Sequence, residues 1–147
     1  MISLTRADID ELPVICELSK VWASEEITRG YAANVPDDLK DSRCFLARDG
    51  NALIGYAIGS SRVASGMGAA IPDGEGYFEI DELYVAPEMR GRGYGREIFR
   101  RIEEMVRSEG VKYLYLSTAT KDSRRILDFY IDKLGMTFWS AQLFKEL

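Results

Sequence analysis

Two stretches carry residues whose types and spacing could do chemistry. The first is "RGRGYG", Arg90 to Gly95, set between the β-like run "YFEIDELYV" and a run of helical spacing. Where a strand ends in a bare turn and a helix begins, the first-turn N–H groups point outward and the helix dipole adds partial positive charge. Glycine has no Cβ, so an anion can approach the backbone closely. Arg90, Arg92 and Arg96 add forked cationic donors. This is chemistry for holding a phosphate or diphosphate. The second stretch is the preceding run itself, with the carboxylates Glu79, Asp81 and Glu82. The chain has no histidine, so proton transfer falls to carboxylates, tyrosine, lysine or water, and no metal is expected. Cys16 and Cys44 are expected to be buried, reduced thiols, because no imidazole is present to activate them.

The elements that position these residues follow from periodicity. "MISLT" reads as a short strand. Thr5 and Asp8 have the spacing of a helix cap, and a helix is expected from about Ala7 to Val21. "WASEEITRGYAANVPDDLK" is less periodic and reads as a second helix or a loop. "CFLARDGNALIGYAIGSS" reads as a hairpin turning at Asp49-Gly50-Asn51. A glycine-rich loop spans Arg62 to Gly76. "YFEIDELYV" is a strand with Phe78, Ile80 and Tyr84 on one parity and Glu79, Asp81, Leu83 and Val85 on the other. The helix after the glycine turn has its stripe at Ile98, Phe99, Ile102, Met105 and Val106 and stops at Gly110. "VKYLYLS" has the density of a central strand buried on both faces. A helix from about Ser123 to Leu134 ends at Gly135, and "MTFWSAQLF" gives a last strand or two. The pattern predicts an α/β domain with a mixed sheet.

Other glycine-rich loops fit less well. "GRGYGRE" lacks the Gly-Lys-Ser/Thr ending of a P-loop. The dinucleotide fingerprint would need glycine where Arg96 stands. The flanks decide. "ELYVAPEMRGRGYGREIFRRIEEMVRSEGVKYLYLST", followed by "RRILDFYIDKLGM", resembles the Gcn5-related N-acetyltransferase (GNAT) family. The motif Gln/Arg-x-x-Gly-x-Gly/Ala is met by Arg90, Gly93 and Gly95, with the lead-in Val85 to Glu88. "FYIDKLGM", Phe129 to Met136, is similar to the family's second signature. The resemblance covers roughly Gly76 to Met136.

That resemblance implies a single GNAT-like domain over residues 1–147, a mixed central sheet with two splayed parallel strands, and about four helices. It implies acetyl-CoA as co-substrate, bound where "YFEIDELYV" and "VKYLYLS" part. The diphosphate would rest on the amides of Arg90, Gly91, Arg92, Gly93, Tyr94, Gly95 and Arg96. The pantetheine arm would lie along Leu83, Tyr84 and Val85, with the Val85 N–H on the thioester carbonyl. Tyr130 matches the family tyrosine that protonates the leaving thiolate. Glu79 is the first candidate for proton acceptor. Glu82 is the second, if a bulge turns it inward. Ser123 stands where many members have asparagine, seven residues before the tyrosine; by that position it is a candidate cofactor contact, and it is expected to cap its helix.

The implied activity is direct acetyl transfer to a primary amine of a small molecule, with a peptide or protein amine as the runner-up and a non-catalytic acyl-CoA-binding module as the different-class alternative. Trp22, Glu25, Glu26, Tyr31, Asp73 and Glu75 are candidates to meet a cationic amine. The formal net charge of −5 argues against nucleic acid as a partner. No apolar run approaches the roughly 18 residues of a membrane span, and the first residues do not read as a signal peptide, so a cytoplasmic protein is expected. The apolar tail "FWSAQLFKEL" is suited to a homodimer contact.

Overall fold

The structure, a computed structural model, describes residues 1–147. Five strands form one sheet in chain order: β1 (Ser3–Arg6), β2 (Arg43–Asp49), β3 (Ala52–Val63), β4 (Gly76–Val85) and β5 (Tyr113–Tyr115). β1 to β4 run antiparallel, and β4 pairs with β5 in parallel. Three α-helices cover the faces: α1 (Leu12–Glu25), α2 (Tyr94–Ser108) and α3 (Ser123–Leu127), the last widening into a π-turn over Asp128–Lys133.

The sheet separates two apolar layers. On one face Ile98, Phe99, Ile102 and Val106 of α2 pack against Phe45, Ala57, Phe78 and Ile80. On the other, Leu12, Ile15 and Cys16 of α1 meet Leu46, Tyr56, Ile58 and Tyr84. Residues at three- and four-residue spacing share one helix face, which is why these stripes reach the sheet together. Each fully buried side chain contributes about 1.5–3 kcal/mol.

Several expectations are corrected here. Asp8, not Thr5, stands at the cap: it opens a 3-10 turn, Ile9–Glu11, that leads into α1, and its N–H donates to Glu11 Oε1 at 3.3 Å. That helix runs on to Glu25, four residues past Val21. Of the two readings of the next segment, helix or loop, the loop holds, because the segment contains Gly30 and Pro36 and forms only a 3-10 turn at Pro36–Leu39. The α-helices therefore number three and not about four. β5 is a short, half-buried edge strand of three residues, not a central one. "MTFWSAQLF" forms no strand, and Phe138, Leu143 and Phe144 are exposed.

The parity of β4 also changes within the strand. Ile58 pairs with Glu82, but the adjacent Gly59 pairs with Ile80. Asp81 is therefore an extra, unpaired residue, a β-bulge. Gly59 opposite it leaves the room: a Cβ there would stand 2.5 Å from the Phe78 ring and 2.6 Å from Glu79 O. Phe78 and Ile80 share the α2 face with Leu83 and Val85, while Tyr84 belongs to the α1 face. A bulge bends its strand, and the pairing of β4 with β5 stops at Glu79 and Tyr115. Past that point the two parallel strands part.

Candidate functional site

The loop between β4 and α2 is built around left-handed glycines. Gly91 has φ 76° and Gly93, the residue before the helix, φ 82°. L-residues pay for that conformation, so the turn is specified by its composition. The Arg90 N–H donates to Pro87 O, and the helix ladder begins with the Glu97 N–H on Gly93 O at 3.1 Å. The six amides between, from Gly91 to Arg96, have no acceptor within the chain. A Cβ on Gly91 or Gly93 would meet no atom within 4 Å, so this backbone face is open. An oriented row of amides at a helix N-terminus, with Arg92 and Arg96 beside it, fits a diphosphate.

Arg90 itself is committed elsewhere. It donates from Nε to Val85 O at 2.9 Å and grips Glu25 with two guanidinium nitrogens, at 2.5 and 2.9 Å. Tyr84 Oη donates to the same carboxylate at 2.6 Å. Burial pushes the Glu25 carboxyl up, but the bonds from Arg90 and Tyr84 outweigh it and hold it below the ordinary value. The expected cationic contribution of Arg90 to anion capture is thus spent within the chain. Its guanidinium also lies 5.3 Å over the Tyr84 ring. Trp22 stacks on Tyr84 at 5.1 Å and on Tyr31 at 4.1 Å. A column of three rings joins the anion loop to the opposite end of the site.

Where β4 and β5 part, a cleft of about 280 Å³ opens. It is lined by Leu83, Glu82 and Asp81 of β4, by Thr118 and Thr120 beyond β5, by Tyr31, and by Tyr130. The Ala86 N–H donates to Ile54 O. By antiparallel alternation the amides of Leu83 and Val85 then face away from β3, toward the gap that β5 leaves. Glu82 is held by three side chains. Tyr56 Oη donates to Oε2 at 2.6 Å, Tyr31 Oη to Oε2 at 3.0 Å, and Asn34 Nδ2 to Oε1 at 2.9 Å and Oε2 at 3.1 Å. Burial, and the Glu82 charge beside them, push the Tyr31 and Tyr56 hydroxyls far above the ordinary phenol value. Both remain O–H donors.

Tyr130 does two things at once. Its ring packs 6.3 Å from Phe99 and 5.1 Å from Phe129, and it also lines the cleft. Burial pushes its hydroxyl up to about 12. Glu79 lies elsewhere, with Oε2 3.3 Å from Arg62 Nε. Ser123 is exposed, and its helix is capped by Asp122, whose Oδ1 accepts from the Arg125 N–H at 3.3 Å. Of the acceptor candidates, Trp22 and Tyr31 line the cleft and Glu26 an adjoining depression. Glu25 serves Arg90, Asp73 accepts from the Gly66 N–H inside its own loop, and Glu75 is exposed. Tyr56 and Asn34 were not foreseen. Tyr56 reaches Glu82 only through the non-local pairing of β3 with β4, and Asn34 sits in a stretch without periodicity.

A mixed sheet whose parallel strands part beside a glycine-built amide row defines an acetyltransferase scaffold, and the comparisons agree. Residues 9–136 match the acetyltransferase (GNAT) family; the chain belongs to it. An IAA acetyltransferase of Azospirillum brasilense is 39% identical over 62 residues, 42% of this chain and 40% of that protein. The matched part therefore spans less than half the length of that relative. Two solved structures share the fold at low identity. A ribosomal-protein-alanine N-acetyltransferase from Brucella melitensis biovar Abortus 2308 has a TM-score of 0.72 at 16% identity, covering 99% of each chain. An aminoglycoside acetyltransferase from an uncultured soil metagenomic sample has a TM-score of 0.71 at 14% identity, covering 99% of this chain and 96% of that one.

Proposed function

We propose that this protein moves an acetyl group from acetyl-CoA directly to a primary amine of a small molecule. The observation that carries the reading is the layout of β4. One strand places Glu82 and Leu83 in the cleft beside Tyr130, turns the Leu83 and Val85 amides into the gap, and leads into the row of free amides from Gly91 to Arg96. When bound, acetyl-CoA supplies the activated acetyl group.

The residues divide the remaining work. The amides of Gly91 to Arg96, with Arg92 and Arg96, hold the diphosphate. Leu83 and Val85 offer N–H donors to the arm and its carbonyl. A primary amine with an ordinary pKa of about 10.4 is mostly protonated near neutral pH, and freeing its lone pair there costs roughly 4–5 kcal/mol. Glu82 attracts the ammonium and takes its proton. A carboxylate has about four acceptor sites, and its three side-chain donors leave Oε1 the less occupied atom. Tyr130, still protonated with its hydroxyl up at about 12, gives the leaving thiolate its proton.

The test is a thiol-release assay over a panel of amines, paired with thermal unfolding with and without acetyl-CoA. A rise in Tm with amine-dependent thiol release is expected. A rise in Tm with no amine consumed would replace catalysis by a binding module. Peptides consumed in preference to small amines would move the acceptor class.

A further inference from the structure

We propose that the acceptor carries an anionic group, a carboxylate or phosphate, beside its amine, and that Arg29 and Lys121 hold that group at the mouth of the cleft. This rests on the acetyl-transfer reading. The two cations are placed together by the backbone. The segment after α1 and the segment after β5 are zipped by one antiparallel bridge, Thr28 to Thr120. The Arg29 N–H donates to Ala119 O at 3.0 Å and the Lys121 N–H to Ile27 O at 2.9 Å. Neighbouring residues on a strand alternate between faces. Arg29 and Lys121 therefore fall on the same side, opposite Thr28 and Thr120. Arg29 lines both the cleft and an adjoining depression of about 500 Å³, and Lys121 lines the latter.

Neither cation is neutralised by the protein. Arg29 and Lys121 have no carboxylate partner within 4 Å, and what sets them apart from the other unpaired cations of the chain is that they meet beside the cleft. Arg29 only lies over the Phe144 ring, at 5.0 Å. Glu26, the one carboxylate sharing the depression, stands beyond ion-pair distance of both. Further along the cleft the charge is reversed: the half-buried, hydrogen-bonded Glu82 lines it, with the exposed Asp81 beside it. The site is thus bipolar, with fixed negative charge inside and free positive charge at the rim. An ammonium is drawn inward and an anion on the same molecule is met outside. A polycation gains at Glu82 but is opposed at the mouth, and an amide-linked or decarboxylated amine leaves Arg29 and Lys121 unused.

The experiment measures kcat/KM by thiol release for matched acceptors: a series of free amino acids, their carboxamides, their decarboxylated amines, an aminoalkyl phosphate, and a polyamine. The anionic acceptors are expected to be preferred by about 10- to 100-fold, the worth of a charge-assisted contact. The double variant Arg29→Gln with Lys121→Gln, checked by its melting temperature, should collapse that preference, and Arg29→Lys should retain part of it. Carboxamides, decarboxylated amines or the polyamine turning over as fast as the anionic acceptors would overturn the inference and leave acetyl transfer standing. So would a double variant that keeps the preference but raises the KM for acetyl-CoA, since the cations would then serve the nucleotide. Stabilisation by acetyl-CoA with no amine in the panel consumed would overturn the acetyl-transfer reading, and this inference with it.

Discussion

Replacing Glu82 with glutamine isolates the charge of the cleft from its shape. The amide has the size of the carboxylate, so the cavity is kept, but three donors now face a neutral group. A hydrogen bond to a charged acceptor is worth about 1.5–3 kcal/mol and a neutral one about 0.5–1.5. The bonds from Tyr56, Tyr31 and Asn34 should each weaken by about 1 kcal/mol. Oxygen in the Oε2 place would keep both tyrosines, and the new NH2 would face Asn34, which can turn its own amide oxygen toward it. The net cost is then about 2–3 kcal/mol, a fall of roughly 5–10 °C in Tm for a chain of this size. Catalysis should suffer more. Loss of a positioned proton acceptor lowers kcat by about 10²- to 10⁴-fold, with acetyl-CoA affinity retained because the amide row lies outside the cleft. Steady-state thiol release and calorimetric titration of acetyl-CoA read these separately. A kcat within about threefold of the native value would refute the assignment. A large drop in Glu79→Gln instead would transfer the role to the residue paired with Arg62.

Three further perturbations test other parts of the site. Gly93→Glu should abolish acetyl-CoA binding in calorimetry while the protein stays folded: the left-handed backbone at φ 82° costs about 1–2 kcal/mol, no neighbour blocks the Cβ, and unchanged affinity would remove the diphosphate site. Tyr130→Phe should slow turnover by about 10²-fold with little change in KM for acetyl-CoA; a native rate from acid to alkaline pH would leave the hydroxyl without a role. Glu25 has its folded pKa below the unfolded value, so its contribution is present above the unfolded pKa of about 4.3 and is lost as pH falls from there through the folded value. Thermal melts of Glu25→Gln should accordingly show a shallower acid limb than the native protein, and parallel curves would contradict the linkage.

The amide loop could be read residue by residue because it is local. A strand end, two obligatory glycines and a helical stripe lie within one short segment, and each restricts the backbone on its own. α2 and the β2–β3 hairpin follow for the same reason. The cleft is different. Glu82 depends on Tyr56 from β3, Asn34 from an irregular loop and Tyr31, partners 26, 48 and 51 positions away. Arg90 looked like an anion ligand by type, but Glu25 on α1 takes it, and only the packing of α1 across the sheet brings them together. The bulge did leave a trace. The α2-facing residues of β4 are Phe78, Ile80, Leu83 and Val85, spaced two, three, two, and the three marks the surplus residue. Strict alternation instead grouped Glu79 with Leu83 and Val85. Length misled at β5: a run of seven residues pairs over only three positions, because its partner strand bends away.

Asp81 is, in this light, a wedge. Without it the order Phe, Glu, Ile, Glu, Leu, Tyr, Val would alternate perfectly, and β4 would lose the bend that carries it away from β5 past Tyr115. Shortening the chain by that one position should let the sheet zip shut, engage the idle amides of Leu83 and Val85, and yield a sturdier protein with no room for a reaction. Exchanging the aspartate for alanine or serine should instead keep the fork open. What this site depends on is then a count of residues more than a chemical identity: the cleft exists because one strand is a single unit too long.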